Sequence, residues 1–439
     1  MNKRDIINTL FILSFSVFGL GNYVSAANSP TAGYVLSVSF HLLIILFYLI
    51  DLLYKREFQL RINSIYIWMI VYLLSCVASL FIASAKGLPD PSFIMMIGKS
   101  VLIFLPFHAF IIVSLYNEKQ KDFLLELTLI GLSLLLFFNL VGFFGLGLSN
   151  GVHSIEGRLN FPFLDGFYSG ACLLVIINFL LLYYFRKNWQ YPIRALLIVG
   201  YFIINLAMLI MINSRLTILI FFFVLGIYAI GFIRARGLFW LSQLTLPILL
   251  SSGFLIYELL QLPGLSSILQ RVDVEDVTTF NGRAFLWRDA MDWLLYDQRG
   301  LLFGNGYRGH YFLDLIADVA KLWNEKETHH MHLHSSSLEI LVSQGLIFYV
   351  VFCILFYKVF IYFRERSLEE KSEGAFLPIV VFLLFVLQVD TFVYMDSLGF
   401  VIFSLLLART VVIPRIDIKA GIRIKPIERK EYDPVLDFS

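Results

Sequence analysis

The sequence predicts an all-α membrane protein that crosses the bilayer many times. Hydrophobic residues make up 59% of the chain and charged residues 15%, with a mean hydropathy of +0.80. A soluble domain carries roughly 25% charged residues. Apolar runs of about 20 residues, each long enough to cross a hydrocarbon core about 30 Å thick as a helix, recur along almost the whole chain. They predict about twelve spans, and one long polar stretch follows the ninth.

The predicted spans divide the chain into four regions. Residues 1–260 hold nine spans, 261–336 form a large outer loop that contains short helices, 337–413 hold three spans, and 414–439 form a polar tail. The start of the chain resembles a secretory signal, but its apolar run is long for a signal core, which favours an uncleaved first span. The spans are expected at residues 6–24, 34–54, 62–84, 93–116, 123–146, 166–185, 193–213, 216–233, 238–260, 337–363, 376–389 and 392–412.

Lysine and arginine gather in alternate loops, and this pattern predicts the orientation of the chain. Cytoplasmic loops keep the excess of these residues. We therefore expect both termini in the cytoplasm and the stretch 261–335 outside, together with Arg158 and Arg215. The basic loops lie at residues 55–61, 119–121, 186–194, 234–236 and 364–371, and the tail adds further cations after residue 414.

Several function classes lack a signal in this sequence. Cys76, Cys172 and Cys353 lie inside apolar runs, where a cysteine is most simply a small hydrophobe. The basic residues are scattered and form no stripe, so we expect no nucleic-acid partner. The GNG at residues 304–306 lacks the rest of a dinucleotide motif and predicts a tight turn.

Two loop arginines on the predicted outer side are candidate binding residues. Arg158, in EGRLNFPF, and Arg215, in NSRLT, lie where the positive-inside tendency disfavours cations. Each also has a structural interpretation. Arg158 could pair with Glu156 or Asp165, and Arg215 could snorkel to the membrane interface from the end of its span.

A helix predicted over residues 282–296 carries a third arginine. Arg283 and Trp287 are four residues apart, so one face of this helix would present both. The alternative is a helix on the membrane surface, with Trp287 and Trp293 as interface anchors and Arg288 in solvent. A guanidinium is permanently charged, and its planar fork matches two phosphate oxygens. Convergent arginines beside an apolar bundle would therefore suit a lipid-linked phosphate or diphosphate.

Four histidines, His329, His330, His332 and His334, directly precede the tenth span. Their spacing could hold a metal ion, although no recognised zinc pattern is complete around them. The cluster could also be solvated and have no task. In the third interpretation, His334 at the mouth of the span is a general base, because an imidazole with a pKa of about 6.5 takes up a proton at neutral pH.

Three further polar residues lie near the predicted outer face. Asp390 and Asp396 flank the turn between the last two spans. A hydrogen-bonded turn is the default interpretation, and contact with a sugar hydroxyl is the alternative. Lys99, near the outer end of the fourth span, could snorkel outward or assist a phosphate, and snorkelling is the favoured interpretation.

The segment from His334 resembles the signature of the O-antigen ligase and polymerase superfamily. It reads His-Ser, nine residues and Gly345, and Phe348 stands where the family has Gly, Thr or Tyr. The order and sidedness of further short motifs strengthen the resemblance. These motifs are Arg158 with NFPF, SRLT at residues 214–217, GRAFLW at 282–287 and LLFGNGY at 301–307.

The resemblance implies an inverting, metal-independent glycosyltransferase with a C-type fold and no cofactor. It would work in lipopolysaccharide or other polysaccharide biosynthesis, at the periplasmic face of the bacterial inner membrane. The donor would be a glycan on undecaprenyl diphosphate among membrane lipid. The acceptor would be lipid A-core for a ligase, or another lipid-linked glycan for a polymerase. The implied site residues are His334 as base, Arg158, Arg215, Arg283 and Arg288 for the diphosphate, and Trp287 and Gly345 as supporting residues.

Two other functions remain open at the level of sequence. A lipid-linked polysaccharide flippase would use the outer arginines merely to attract its cargo, but it predicts charged or broken helices deep in the membrane. A metal-dependent hydrolase would use the histidines as ligands.

Overall fold

A computed structural model of the protein is a bundle of helices. Helices account for nearly all of the residues it describes, and those residues include no β-strand. This confirms the all-α prediction, since a helix satisfies its own backbone hydrogen bonds within hydrocarbon. The described residues are 2–27, 29–55, 63–85, 98, 102, 104–118, 120, 122–148, 158–164, 166–245, 247–248, 283–306, 309–313, 316, 318, 321, 332–369, 371–392 and 397–412.

Thirteen α-helices have both bounds within the described segments, and we number them in chain order. They are α1 (Lys3–Ala27), α2 (Pro30–Lys55), α3 (Ser64–Ala85), α4 (Phe104–Tyr116), α5 (Phe123–Leu140), α6 (Gly166–Asn188), α7 (Pro192–Ile212), α8 (Arg215–Ala229), α9 (Arg283–Tyr296), α10 (Gln298–Phe303), α11 (Ser336–Leu368), α12 (Leu377–Val389) and α13 (Leu398–Val411). Short 3-10 turns lie at Phe232–Arg234, Gly309–Phe312 and Ser372–Phe376.

The helices reproduce most of the predicted spans. Among the described residues, eight helices are long and apolar enough to cross a membrane, and α4, α8 and α13 are shorter apolar helices. The ninth predicted span, at 238–260, is helical over 237–245 and described no further than residue 248. The count of about twelve spans is thus not confirmed. The described part of the predicted outer loop contains α9 and α10, which are short helices.

Burial separates the centre of the bundle from its periphery. Every residue of α12 is buried, and α13 is buried along its whole length. In contrast, α7 exposes large apolar side chains such as Ile193, Leu196 and Ile203. An apolar helix that exposes such side chains suits contact with lipid, whose tails are as apolar as leucine.

A break in α11 shapes the end of the bundle where the candidate site lies. Gly345 has φ 81° and ψ 173°, which interrupts the helix after its first turns. The carbonyls of Val342 and Ser343, just before the break, accept hydrogen bonds of 2.7 and 3.0 Å from the N–H groups of Asn305 and Gly306. The loop after α10 therefore satisfies helical carbonyls that the break would leave unpaired.

The polar residues of the motifs that the sequence predicts to be on the outer side lie at one end of the bundle. We call it the His334 end. The helices α6, α8 and α11 begin there and α12 ends there, since Ser336 N–H donates to the Asp390 carbonyl at 3.0 Å. The same three helices finish at the opposite end, which we call the Arg234 end. There the Arg234 guanidinium donates to the hydroxyl and the carbonyl of Ser367.

Candidate functional site

His334 lies on a short connector that is held in place from both sides. Its neighbour Leu333 accepts a 2.7 Å hydrogen bond from the indole N–H of Trp287 on α9. The Leu333 N–H donates to the Glu339 carboxylate at 3.1 Å. His334 itself has φ 48°, a left-handed conformation that few residues other than glycine adopt. A strained backbone persists only where the surrounding structure holds it in place. The contacts of Leu333 do so for His334, the residue predicted to be the base.

The connector ends where α11 begins, and the sequence explains this start. Ser335 is the N-cap of α11, and its hydroxyl accepts a hydrogen bond from the Leu338 N–H at 3.3 Å. The hydroxyl of Ser336 donates to the Asp390 carbonyl at 2.9 Å and accepts from Phe392 N–H at 2.9 Å. The SSS run after His334 thus serves as a helix cap and as a bridge to the end of α12.

A buried histidine and glutamate support the connector from beneath. The Glu339 carboxylate that holds Leu333 also hydrogen-bonds Nδ1 of His310, and both side chains are essentially inaccessible to solvent. Neither His310 nor Glu339 is among the site residues that the sequence predicts. Their pairing depends on the fold of the loop between α10 and α11, which spacing along the chain does not encode.

Arg283 is buried beside the connector, on the face of α9 that also carries Trp287. Its guanidinium donates to the Val389 carbonyl at 3.0 Å and to the hydroxyl of Tyr168, and it lies 4.8 Å from the centre of the Tyr168 ring. The predicted helix and the shared face are both confirmed. The alternative of Trp287 as a membrane-surface anchor is wrong, because the Trp287 side chain is fully buried.

Tyr168, near the start of α6, joins the arginines of two distant segments. Arg158, Arg283 and Asp390 all lie close enough to the Tyr168 hydroxyl to interact with it electrostatically. Arg158 also lies over the ring of Phe167, 5.6 Å from its centre. The acidic residues that sequence analysis offered as salt-bridge partners of Arg158 lie outside the described residues. Tyr168 itself was missed, although the aromatic-rich segment after Arg158 was a signal.

Asp390 closes the site next to the histidines. The rings of His332 and His334 are 4.0 Å apart between centres. One ligand atom from each of His332, His334 and Asp390 lies within 4.8 Å of the other two, so this group could hold a divalent cation. Asp390 is therefore more than a turn residue, because its carboxylate lies close to the candidate base His334. His329, His330, Asp396 and Lys99 lie outside the described residues.

The structure does not bring the remaining two arginines into the cluster by direct contact. Arg215 is exposed at the first residue of α8. The preceding helix, α7, is connected to the Arg158 segment near its end through a 3.1 Å hydrogen bond from Leu159 N–H to the Met211 carbonyl. Arg288 lies on the exposed face of α9, away from Arg283, and pairs with Asp292 at 3.8 Å.

Gly345 contacts the GNG turn at a distance that excludes any side chain. A Cβ on Gly345 would lie 2.4 Å from the Leu302 carbonyl oxygen, and one on Gly304 would lie 2.4 Å from that of Ser343. Both glycines have positive φ, as does Gly306. The tight turn predicted at GNG is confirmed, and it fits against the break in α11.

The cluster combines an imidazole, a carboxylate and two arginines at the end of an apolar bundle. An imidazole can take a proton from a hydroxyl group, and guanidinium groups stabilise developing negative charge on phosphate oxygens. Such an arrangement suits group transfer from a lipid-linked phosphate ester.

Comparison with known families agrees with this chemistry. Residues 200–353 match the family model described as O-antigen ligase. This segment is similar to the O-antigen ligase family. The predicted resemblance to the superfamily is thereby confirmed. The domain contains the segment from Arg215 to Gly345, whereas Arg158, Tyr168 and Asp390 lie outside it. No curated protein and no solved structure matches the chain significantly.

The domain and the helices together support a coarse functional class. The chain is a multi-pass membrane protein, and the O-antigen ligase domain supports glycan transfer in O-antigen biosynthesis by a membrane glycosyltransferase.

Proposed function

We propose that the protein transfers a glycan from undecaprenyl diphosphate to a sugar hydroxyl at the periplasmic face of the bacterial inner membrane. The observation that carries the proposal is the grouping of His334 with Arg283, Arg158 and Asp390 around the start of α6 and the end of α12. These residues come from four separate segments. A base grouped with a carboxylate and two cations is the arrangement that the reaction requires.

In the proposed reaction His334 takes the proton of the acceptor hydroxyl. The oxygen then attacks the anomeric carbon from the side opposite the diphosphate, and the bond between that carbon and the diphosphate oxygen breaks. The configuration is inverted, and undecaprenyl diphosphate leaves with the bonding electrons. Arg283 and Arg158 stabilise its charge, and Arg215 at the edge of the same end binds it as it enters or leaves.

Asp390 has a supporting role in this proposal. Its carboxylate lies beside the imidazole rings of His332 and His334. A negative charge near His334 stabilises the imidazolium that forms when the base takes its proton, as the third member of a catalytic triad does. His332 would share this environment without contacting the acceptor.

The acceptor that we favour is lipid A-core, which makes the protein a ligase. The family description names this activity. A polymerase would instead use a second lipid-linked glycan in the same site. The C-type glycosyltransferase fold belongs to the proposal as well, since it follows from the family resemblance.

Purified protein tests the proposal directly. With undecaprenyl-diphosphate-linked glycan and lipid A-core, it should release undecaprenyl diphosphate and form a glycoside. With the donor alone it should release none. The variant His334→Ala should lower turnover by about 10²–10⁴-fold, the usual contribution of a general base. Full turnover by a correctly folded His334→Ala protein would refute the assignment of the base.

The arginines offer a matched pair on one helix. Arg283→Lys retains charge but loses the planar fork, and should lower turnover by at least about tenfold, equivalent to roughly 1.4 kcal/mol. Arg288→Lys makes the same exchange on the exposed face of α9 and should change turnover much less. Equal losses in the two variants would contradict the role proposed for Arg283.

A second candidate function is metal-dependent hydrolysis, which the group of His332, His334 and Asp390 favours. A bound cation would lower the pKa of a water molecule and deliver hydroxide to the sugar. The same assay separates the two functions. Hydrolysis would release free glycan without an acceptor and would stop on treatment with a chelator, whereas the proposed transfer would persist in the chelator.

A further inference from the structure

A second cationic site lies at the Arg234 end, remote from His334. A cavity of about 670 Å³ opens between the last turns of α6, α8 and α11 and the turn Ser372–Phe376. Its lining includes Arg186, Lys187, Arg234 and Lys371. The helix α6 has 23 residues, so at about 1.5 Å per residue it separates this cavity from Tyr168 by roughly 30 Å. The cavity is therefore not an extension of the candidate active site.

The charge of this cavity is strongly one-sided. The lining residues include four cations, and no aspartate or glutamate is among the described residues that line it. Lys187 pairs with Asp122 at 2.8 Å and Lys371 with Glu369 at 2.6 Å, and both carboxylates lie outside the lining. The cations thus line one half-open space, where their mutual repulsion favours the binding of an anion.

The two arginines are oriented by hydrogen bonds to oxygen atoms of the protein. The Nε and one terminal nitrogen of Arg234 each donate to Ser367 at 3.1 Å. Arg186 donates to the hydroxyl of Tyr228 at 3.3 Å. A guanidinium has five N–H donors, more than the two through which Arg234 binds Ser367. Two oriented guanidinium groups with adjacent ammonium and hydroxyl groups match the several oxygens of a phosphate.

The rim of the cavity is apolar and faces outward. Ile230 and Phe232, on either side of the lining residue Gly231, are 77% and 54% exposed. They continue the exposed apolar surface of α8, which includes Leu219 and Phe222. The acyl chains of a lipid whose phosphate is in the cavity could therefore contact this apolar rim directly. Basic pockets between membrane helices bind lipid head groups in this manner.

We propose that this cavity binds the phosphate group of an anionic ligand, and that the apolar rim favours the head group of an anionic phospholipid over a soluble phosphate. The bound phosphate would join the ends of α6, α8 and α11 and so stabilise the bundle at the Arg234 end. This site is independent of the glycosyl-transfer reaction proposed above.

Full-length protein in detergent provides the test. Native mass spectrometry would count phosphatidylglycerol molecules retained by the wild type and by the double variant R186Q/R234Q, with phosphatidylcholine as the uncharged comparison. The matched control is R194Q/R236Q, which removes two exposed arginines from the same end outside the cavity. We expect at least about tenfold weaker retention of phosphatidylglycerol in the cavity variant, equivalent to about 1.4 kcal/mol, because the variant loses charge-assisted hydrogen bonds to the phosphate. The control should resemble the wild type.

Thermal unfolding distinguishes the two sources of phosphate. Phosphatidylglycerol should raise the unfolding temperature of the wild type and of R194Q/R236Q but not that of R186Q/R234Q. An equal rise with inorganic phosphate alone would support a phosphate site and assign it to a soluble anion. The charge-preserving variant R186K/R234K should retain phosphatidylglycerol to an intermediate degree, and it covers the case in which R186Q/R234Q fails to fold. Undiminished retention and stabilisation in the folded cavity variants would overturn the proposal. Because no step measures glycosyl transfer, failure here leaves the proposed function unaffected.

Discussion

Glu339 is a fully buried carboxylate near the candidate base. One of its oxygens accepts from Leu333 N–H and the other contacts His310, and both Glu339 and His310 are buried. A buried carboxylate is tolerated when its hydrogen bonds are satisfied, and removing it leaves its partners unpaired. Through Leu333 this residue fixes the backbone that carries His334. Glu339 is therefore a positioning residue and not a catalytic one.

Replacement of Glu339 tests this role. Glu339→Ala should destabilise the protein by about 2–5 kcal/mol, because Leu333 N–H and the His310 ring lose their buried partner. Any folded fraction should show a lower kcat with little change in the KM for donor. Thermal unfolding in detergent and steady-state kinetics measure the two effects. Glu365→Ala is the matched control, since Glu365 is exposed on the same helix and should change stability by no more than about 0.5 kcal/mol. Equal stability of the two variants would refute the positioning role.

The site residues differ in how far the sequence could identify them. The shared face of Arg283 and Trp287 follows from helical periodicity, and the structure confirms it. Periodicity acts within one element, so it cannot show that Tyr168 and Val389 contact Arg283 across the bundle. These contacts depend on the packing of α6 and α12 against α9. The choice of His334 among four histidines rested on its place at the start of α11, and its catalytic role stays a prediction.

At the scale of elements, the break in α11 is the feature with the clearest cause. The helix has 33 residues and is interrupted at Gly345, where its backbone lies close to that of the GNG turn. Gly345 turns the chain, and Gly304 allows the turn after α10 to approach the freed carbonyls. The sequence predicted a continuous span from residue 337 and treated Gly345 as part of a motif. The physical reason for the glycine appears only when the two backbones are seen together.

Substitution of Gly345 should therefore be costly. In Gly345→Ala the new Cβ would lie 2.4 Å from the Leu302 carbonyl oxygen and would require φ of 81° from a residue that disfavours it. Backbone strain alone costs of order 1–3 kcal/mol, and the clash adds to it. The unfolding temperature and the turnover of Gly345→Ala should both be lower than those of the wild type.

The control for this experiment lies in α8. Gly226 has open space around its Cβ position and no positive φ, so Gly226→Ala should leave stability unchanged or raise it by up to about 1 kcal/mol. If Gly345→Ala unfolds at the same temperature as Gly226→Ala, the close backbone approach at the break does not exist in the protein.

At the scale of the whole molecule, hydropathy predicted the class of fold and most of the helices. Composition alone indicates a multi-pass membrane protein, because so apolar a chain cannot remain soluble. Hydropathy says less about which short helices span the membrane, since α4, α8 and α13 are shorter than the usual span. The complete burial of α13 allows it to rely on neighbouring helices. The family match covers residues 200–353, so the packing of α1 to α6 is known only from the structure.

The orientation of the molecule is the last prediction, and the proposed donor site depends on it. The excess of lysine and arginine at the Arg234 end predicts that this end faces the cytoplasm and the His334 end the periplasm. A version without the three native cysteines can carry one new cysteine at a time, at Tyr296 beside the His334 end or at Gln190 in the turn after α6, both exposed. A membrane-impermeant maleimide should label Tyr296→Cys once the outer membrane is permeable. It should label Gln190→Cys only after the inner membrane is opened. The reverse pattern would place His334 and the arginines in the cytoplasm, where the periplasmic transfer proposed here cannot occur.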